Sequence, residues 1–369
     1  MRGSRLGRGP ARRIRSRILV LSAGTGAANN LIRSLKVGEP TLFVVGAHAE
    51  RFVLKKSPAD RNHLIPPSTH RGFLAALGRV IKAEKIALVI PGSDSDVDAL
   101  SRLRDRIPCR VFMPRRSVID LCQDKYNLTA FLRARGLPAP LTYPVTNLDE
   151  LDDLFGRLAP RPLLWCRIRT GFGSMGAIPV KNPEQARSWI RYWQDMRNVP
   201  ATAFTLSEYL PGRDFSLQCL WKDGRLVLAK MSERLVYFGG GSHPSGVSST
   251  PALGKTVFEP RVGEVCAAAM RSLDEKISGV CCFDLKEDEH GVPCITEINA
   301  GRFAMITSLY DLTGKYNMAV TFVRLALGER VDIGDPYDIA EDCYLVRDLD
   351  TEPGVLRGEE FFDGNQKSR

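Results

Sequence analysis

Short apolar runs and longer amphipathic stretches alternate through the first third of the chain. Ile18-Leu19-Val20-Leu21 comes first, followed by a helical pattern from Ala27 to Leu35 and then Leu42-Phe43-Val44-Val45. A second helical pattern from Gly72 to Lys82 leads to Ala87-Leu88-Val89-Ile90. Apolar runs separated by helical segments predict the βαβ rhythm of a parallel sheet. A second unit opens near Ser117-Val118-Ile119-Asp120 with a helix from Lys125 to Arg135, punctuated by Gly136-Leu137-Pro138-Ala139-Pro140. Another α/β stretch runs to about Pro200, and mixed strands with a helix near Val262 to Ser272 extend to Asn299. Beyond Glu329 the chain turns acidic and loses periodicity, with a frayed tail expected from Gly358. No internal repeat is visible.

One later segment carries candidate chemistry. Val280-Cys281-Cys282-Phe283-Asp284-Leu285 and Cys294-Ile295-Thr296-Glu297-Ile298-Asn299 flank the turn-like Asp288-Glu289-His290-Gly291, which predicts a β-hairpin. Glu297 and Asn299 share a strand face at period two, and the hairpin brings Asp284 opposite Glu297. A carboxylate that follows four apolar residues is costly to bury unpaired, and a metal removes that cost. Two carboxylates and an amide oxygen are hard donors that suit Mg²⁺, which takes one or two carboxylates together with nucleotide phosphates. A solvated acidic face is the plainer reading of Glu-x-Asn taken alone.

Composition narrows the class. The chain has 369 residues, 44% hydrophobic and 25% charged, which is ordinary globular composition and more than one core usually serves, so two or three domains are expected. The apolar run at Ile18 stops at Ser22, short of the roughly 7 to 15 residues of a signal-peptide core, and nothing approaches the roughly 20 of a membrane span. The chain therefore reads as soluble and cytoplasmic, with no membrane partner. Nine cysteines, an odd number without a C-x-x-C pair, read as small buried hydrophobes in a reducing compartment rather than a disulfide framework or zinc site. The formal charge is +10, but seven arginines lie in residues 1–17 and the remainder carries about +3. That segment reads as a disordered basic tail, and a nucleic-acid function is disfavoured.

Two glycine-containing turns are candidates for phosphate. Gly24-Thr25-Gly26 follows the first strand like half of a dinucleotide fingerprint, yet the third position is Asn29, so the signal for NAD is weak. A turn at a strand's carboxyl end is also where ligands generally sit in open α/β sheets, and the loop Pro91-Gly92-Ser93-Asp94-Ser95-Asp96 follows another strand in the same manner. Further on, Trp165-Cys166-Arg167-Ile168-Arg169 runs into Thr170-Gly171-Phe172-Gly173-Ser174-Met175-Gly176. Arg167 and Arg169 share a strand face, and the glycines leave backbone amides free to approach phosphate oxygens. Between Tyr237 and Ser249 a glycine- and serine-rich run borders a candidate acceptor pocket; His243 there reads either as a base for an incoming amine or as an exposed loop histidine.

Gln123-Asp124-Lys125, the loop from Arg167 to Gly176, Glu208-Tyr209-Leu210-Pro211-Gly212-Arg213-Asp214, and Asp284 with Glu297-x-Asn299, taken in order, resemble the ATP-grasp superfamily in its carbamoyl-phosphate-synthase-like and carboxylate-amine ligase branches. The resemblance covers roughly Ile18 to Leu327. It implies an α/β and α+β fold, with an N-terminal Rossmann-like (pre-ATP-grasp) domain at 18–115 after the 1–17 tail. An ATP-grasp N-terminal subdomain at 116–207, a C-terminal subdomain at 208–330 and an extension at 331–369 would follow. Carried over by position, Lys125, Arg167, Arg169, Gly171, Gly173 and Ser174 would serve the ATP phosphates, with 171–176 as a mobile lid. Glu208 and the backbone of Tyr209 and Leu210 would read adenine, Asp214 would lie near the ribose, and Asp284, Glu297 and Asn299 would hold Mg²⁺ or Mn²⁺. The chain departs from the family pattern in three places: Arg167 replaces a lysine, Met231-Ser232-Glu233-Arg234 keeps one of two arginines, and Asn299-Ala300-Gly301-Arg302 moves an arginine one residue along.

The chemistry so implied is activation of a carboxylate as an acyl phosphate by ATP, followed by attack of an amine, with Arg302 and Arg234 as the candidate catalytic arginines. Amino acids or small peptides are the expected substrates, and many relatives are dimers. The alternatives are a non-catalytic or regulatory nucleotide-binding protein of the same fold, and a nicotinamide-dependent oxidoreductase built on Gly24-Thr25-Gly26.

Overall fold

The computed structural model describes residues 16–348 and 354–362, apart from Phe172, Val247 and Ser249. The basic segment 1–15 lies outside the described residues.

Three sheets organise the molecule. The first contains β1 (Arg17–Leu21), β2 (Val44–His48), β3 (Arg61–Leu64), β4 (Ile86–Ile90) and β5 (Arg110–Val111), all parallel, in the order β3-β2-β1-β4-β5. The alternation of β1 explains the continuous apolar run: Leu19 and Leu21 pack into one core with Val45, Leu77 and Val89, while Ile18 and Val20 pack into another with Leu31, Ile32 and Leu35 of the helix Gly26–Gly38. The chain leaves β1 toward β2 on one side and returns to β4 on the other. The carboxyl ends of β1 and β4 therefore flank the crevice where such sheets take ligands. Gly24, at φ +95°, turns the chain there, and a Cβ on it would stand 1.9 Å from the Val53 carbonyl oxygen. Backbone packing thus accounts for this glycine without a dinucleotide.

The second sheet, β6 (Thr142–Pro144), β7 (Leu164–Ile168), β8 (Ile178–Val180) and β9 (Phe204–Glu208), has the order β6-β9-β7-β8 and antiparallel pairing. It closes its own core with the helices Leu151–Leu158 and Pro183–Arg197 through Leu151, Leu154, Leu158, Ala186 and Ile190. The third comprises β10 (Asp214–Lys222), β11 (Arg225–Tyr237), β12 (Pro251–Thr256), β13 (Gly279–Glu287), β14 (Pro293–Ala300), β15 (Cys343–Val346) and β16 (Gly354–Arg357), in the order β14-β13-β10-β11-β12-β15-β16. Its apolar face meets the helices Arg116–Gln123, Lys125–Arg133 and Pro260–Leu273 in the same core that reaches the parallel sheet.

The C-terminal stretch differs from its reading as an aperiodic extension. β15 adds to β12 with Leu253 opposite Val346, and Gly358–Phe362 is helical where fraying was expected. Cys343, Tyr344 and Leu345 are buried, but a four-residue strand between acidic segments is too short to show a period. Asp338, just before it, forms a buried pair with Lys230 of β11 at 2.7 Å, side chains 6% and 1% exposed. Lys230 also donates to the Thr313 carbonyl oxygen, and Asp338 accepts from the Lys315 and Tyr316 amides. Every cysteine is unpaired and all but Cys109 are buried, in keeping with the reading of small hydrophobes. Among the described residues no helix is long and apolar enough to cross a membrane.

Burial would raise the Asp338 carboxyl, but Lys230 and the two amides outweigh it and hold its pKa below the usual value. The stability so gained is complete above the ordinary carboxylate pKa and is lost as pH falls through the lowered one. Asp338→Ala strands the Lys230 ammonium, and a loss of about 3 to 5 kcal/mol is expected at neutral pH from denaturant midpoints. The variant should also lack part of the wild-type acid-induced loss.

Candidate active site

The site grows from period-two alternation on four neighbouring strands. Ser232 of β11 lies opposite Ser216 of β10, Ser216 opposite Asp284 of β13, and Asp284 opposite Glu297 of β14. Two residues along each strand on the same face stand Arg234, Asp214, Cys282 and Asn299. All eight line one cavity of about 740 Å³. The opposite face carries Phe215, Leu217, Met231, Phe283 and Ile298 into the core, which fixes the register, because a one-residue slip would exchange the two sets.

The charges on this face are interlocked. Arg234 pairs with Asp284 and lies 3.1 Å from Asp214, which also accepts from the Tyr237 hydroxyl. Burial would lower the Arg234 pKa, but Asp284 and Asp214 reverse that and hold it well above its ordinary value. Asn299 donates to Asp284 at 3.4 Å and accepts from Arg302. Gly301, at φ +94°, turns the chain directly after β14 and so lets Arg302 fold back on Asn299. Arg302 also pairs with Asp94, the first residue of the helix Asp94–Leu103 that follows β4. Burial opposes its charge, and Asp94 more than compensates.

Lys125 begins its helix behind the cap Asp124, which accepts from the Tyr126 and Asn127 amides. Its ammonium donates to the Gly171 carbonyl oxygen at 2.7 Å and stands 3.8 Å from Glu297. Arg167 crosses from β7 to donate to the Thr296 carbonyl oxygen at 2.9 Å, and its buried Nε has no partner among the described residues. Burial pushes its pKa down, partly offset by Glu297 and Asp284. Arg169 does not accompany it into the cavity. β7 ends at Ile168, so period two no longer holds, and Arg169 turns to Asp124 at 2.7 Å and over the Tyr126 ring. Gly173 and Ser174 line the cavity, whereas Gly171 is engaged by Lys125.

An apolar wall of Pro140, Trp165, Tyr209, Leu210 and Leu285 bounds one end. Glu208 belongs to this wall, but its carboxylate already accepts from the Leu141 amide at 2.8 Å and pairs with Arg161. Asp214 likewise is engaged by Arg234 and Tyr237. His243 is exposed and outside the lining, while Ser245 and Ser248 of its loop line the cavity. Sequence reasoning missed Asp94 as the partner of Arg302, though its loop after β4 was a signal. It also missed Ser216, Ser232 and Tyr237, for which period two from Asp214 and Arg234 would have served in the first two cases.

The donors fit a hard divalent cation. Among the described residues no group of three or more His, Cys, Asp or Glu could hold a metal; the hard donors brought together on this face are Asp284 and Glu297, opposite each other, and the Asn299 amide. Two carboxylates suit Mg²⁺ completed by phosphate and water, and the Arg167 Nε has no hydrogen-bond acceptor among the described residues.

Comparison with solved structures defines the class. An L-amino acid ligase from Bacillus licheniformis superposes with a TM-score of 0.69 at 12% identity, over 90% of this chain and 79% of that one. The biotin carboxylase domain of a 2-oxoglutarate carboxylase from Hydrogenobacter thermophilus, a dimer bound to MgADP, ADP and bicarbonate, gives 0.68 at 15% identity, over 89% and 74%. The chain thus has the ATP-grasp fold. In sequence it is 25% identical over 184 residues to the probable alpha-L-glutamate ligase of Legionella pneumophila, strain Corby, which is 49% of this chain and 56% of that protein. The chain therefore spans about half the length of the curated relatives it matches. No family model matches it.

Arg234→Met removes the cation between Asp214 and Asp284. Stability should fall by about 3 kcal/mol without divalent cations, and millimolar Mg²⁺ should restore more of it than it adds to the wild type, measured by thermal denaturation.

Proposed function

We propose that the chain is an ATP-dependent ligase that joins a carboxylate to an amine, with amino acids or small peptides as substrates. The observation that carries this reading is the single polar face on which Asp284, Glu297 and Asn299 stand among Arg234, Arg302, Arg167 and Lys125. The parallel sheet at 18–115 is read as the pre-ATP-grasp domain, and 116–207 and 208–330 as the subdomains that close on the nucleotide. The buried, unpaired thiols suit work in the reducing cytoplasm.

A substrate carboxylate oxygen attacks the γ-phosphorus of ATP in line, and ADP leaves. The amine then attacks the carbonyl carbon of the acyl phosphate, and inorganic phosphate leaves. Magnesium, when bound, neutralises the phosphate charge that builds in such a transfer. Asp284, Glu297 and Asn299 would hold it. Lys125 and Arg167 supply positive charge at the nucleotide end, and Arg167, held at Thr296 by one nitrogen, keeps donors for a phosphate oxygen. Arg302, steadied by Asp94 and Asn299, orients the substrate carboxylate and offsets the oxyanion of the tetrahedral intermediate. Arg234, which pairs with Asp214 and Asp284 on the same face, would orient an anionic substrate group. The polar face lies over a packed apolar core, so these groups are preorganised.

Glu297→Gln keeps the side chain's volume and removes its charge. ADP release should fall by about a hundredfold or more, and the stabilisation of the protein by Mg²⁺-ATP should vanish while far-ultraviolet circular dichroism stays unchanged. Undiminished ADP release would overturn the metal assignment. Stabilisation of the wild type by Mg²⁺-ATP, with no ADP released from any mixture of carboxylates and amines, would instead favour a nucleotide sensor.

A further inference from the structure

The cavity has an end that the nucleotide reading leaves unused. Contacts run from Arg167 to Thr296, from Asn299 to Arg302 and from Arg302 to Asp94, so the walls given by the parallel sheet lie beyond Arg302 from the adenine wall. Those walls come from the carboxyl ends of β2 and β3. Ala47 and Ala49 lie at the first, Ile65, Pro66 and Pro67 follow the second, and Phe73 begins the helix Phe73–Glu84. We propose that this apolar lobe receives the side chain of an amino-acid substrate, and that the enzyme takes amino acids with apolar side chains in preference to acidic ones. The inference rests on the ligase reading and adds the substrate's side chain to it.

Charge and hydrogen bonding argue for the same occupant. The charged or titratable residues that the parallel-sheet region contributes to the lining are His48, Glu50, Asp94 and Asp96, with no lysine or arginine among them. Asp94 is committed to Arg302, and Asp96 accepts from the Ser22 hydroxyl and the Gly92 amide. A carboxylate side chain placed here would find no lysine or arginine from the parallel sheet and would share the lining with Glu50. Pro66 and Pro67 present a stiff stretch of wall without N–H donors, and the Ser22 and Ser68 hydroxyls of the same lining are already bonded to Asp96, so a polar side chain would lose water there with little replacement. An apolar side chain has nothing to lose and shields Ala49, Pro66 and Pro67 from water. Arg302, held between Asp94 of the parallel-sheet side and Asn299 of the polar face, would meet the main-chain carboxylate of such a substrate.

The test is ADP release by the full chain with Mg²⁺-ATP and Leu, Met, Phe, Glu, Asp or Lys, singly and in pairs. Leu, Met or Phe should give kcat/KM at least about tenfold above Glu, Asp and Lys. Ala49→Trp fills the lobe and should raise KM for the apolar substrate about tenfold, with kcat within about twofold and the Mg²⁺-ATP thermal shift unchanged. Pro67→Glu, at an exposed position, should raise the same KM and covers the case in which Ala49→Trp fails to fold. A best substrate among Glu, Asp and Lys, or a KM unmoved in the variants that fold, overturns the inference and leaves the ligase reading standing. Mg²⁺-ATP stabilisation without ADP from any amino acid overturns it as well. The absence of both stabilisation and ADP release sinks the ligase reading itself.

Discussion

The pairing of Asp284 with Glu297 across β13 and β14 is the constraint on which the site depends. Two carboxylates on adjacent strands repel each other, and they are tolerated because the opposite faces of those strands carry Phe283 and Ile298 into a closed core. Burial of the apolar side holds the register, and the register holds the acids together. Arg234 supplies the compensating charge from two strands away. The arrangement is metastable in a useful sense, since every cation near Asp284 and Glu297 belongs to a side chain that a phosphate or carboxylate could equally engage.

The same logic explains where the departures from the family pattern fall. Arg167 in place of a lysine reaches the Thr296 carbonyl oxygen with one nitrogen and leaves Nε buried beside the acids, an arrangement a single ammonium could not make. Arg302, displaced by one residue, is returned to Asn299 by the left-handed turn at Gly301. Both substitutions keep positive charge on the polar face while changing its direction.

Local pattern made much of this legible. The hairpin from Val280 to Asn299, the Asp124 cap before Lys125 and the strands of the parallel sheet each follow from periodicity or capping within a few residues. Arg169 misled because period two was extended past Ile168, where β7 ends. β15 and β16 left no readable pattern, being four residues each among acidic segments. The Asp94–Arg302 pair joins residues 208 positions apart, and no local rule reports a contact at that separation. The partners of Glu208, Arg161 and the Leu141 amide, come from other elements and were hidden in the same way.

The way the apolar cores are divided sets which parts can part company. The parallel and seven-stranded sheets share two cores, one of them cemented by the helix Met318–Ala326, so prising them apart would wet dozens of apolar side chains. The four-stranded sheet keeps its core to itself and touches the rest near the cavity through polar bonds, such as Arg167 to Thr296 and Arg169 to Asp124. Water can replace those bonds at little cost. Among the described residues, parting the four-stranded layer from the rest would therefore leave each apolar core closed.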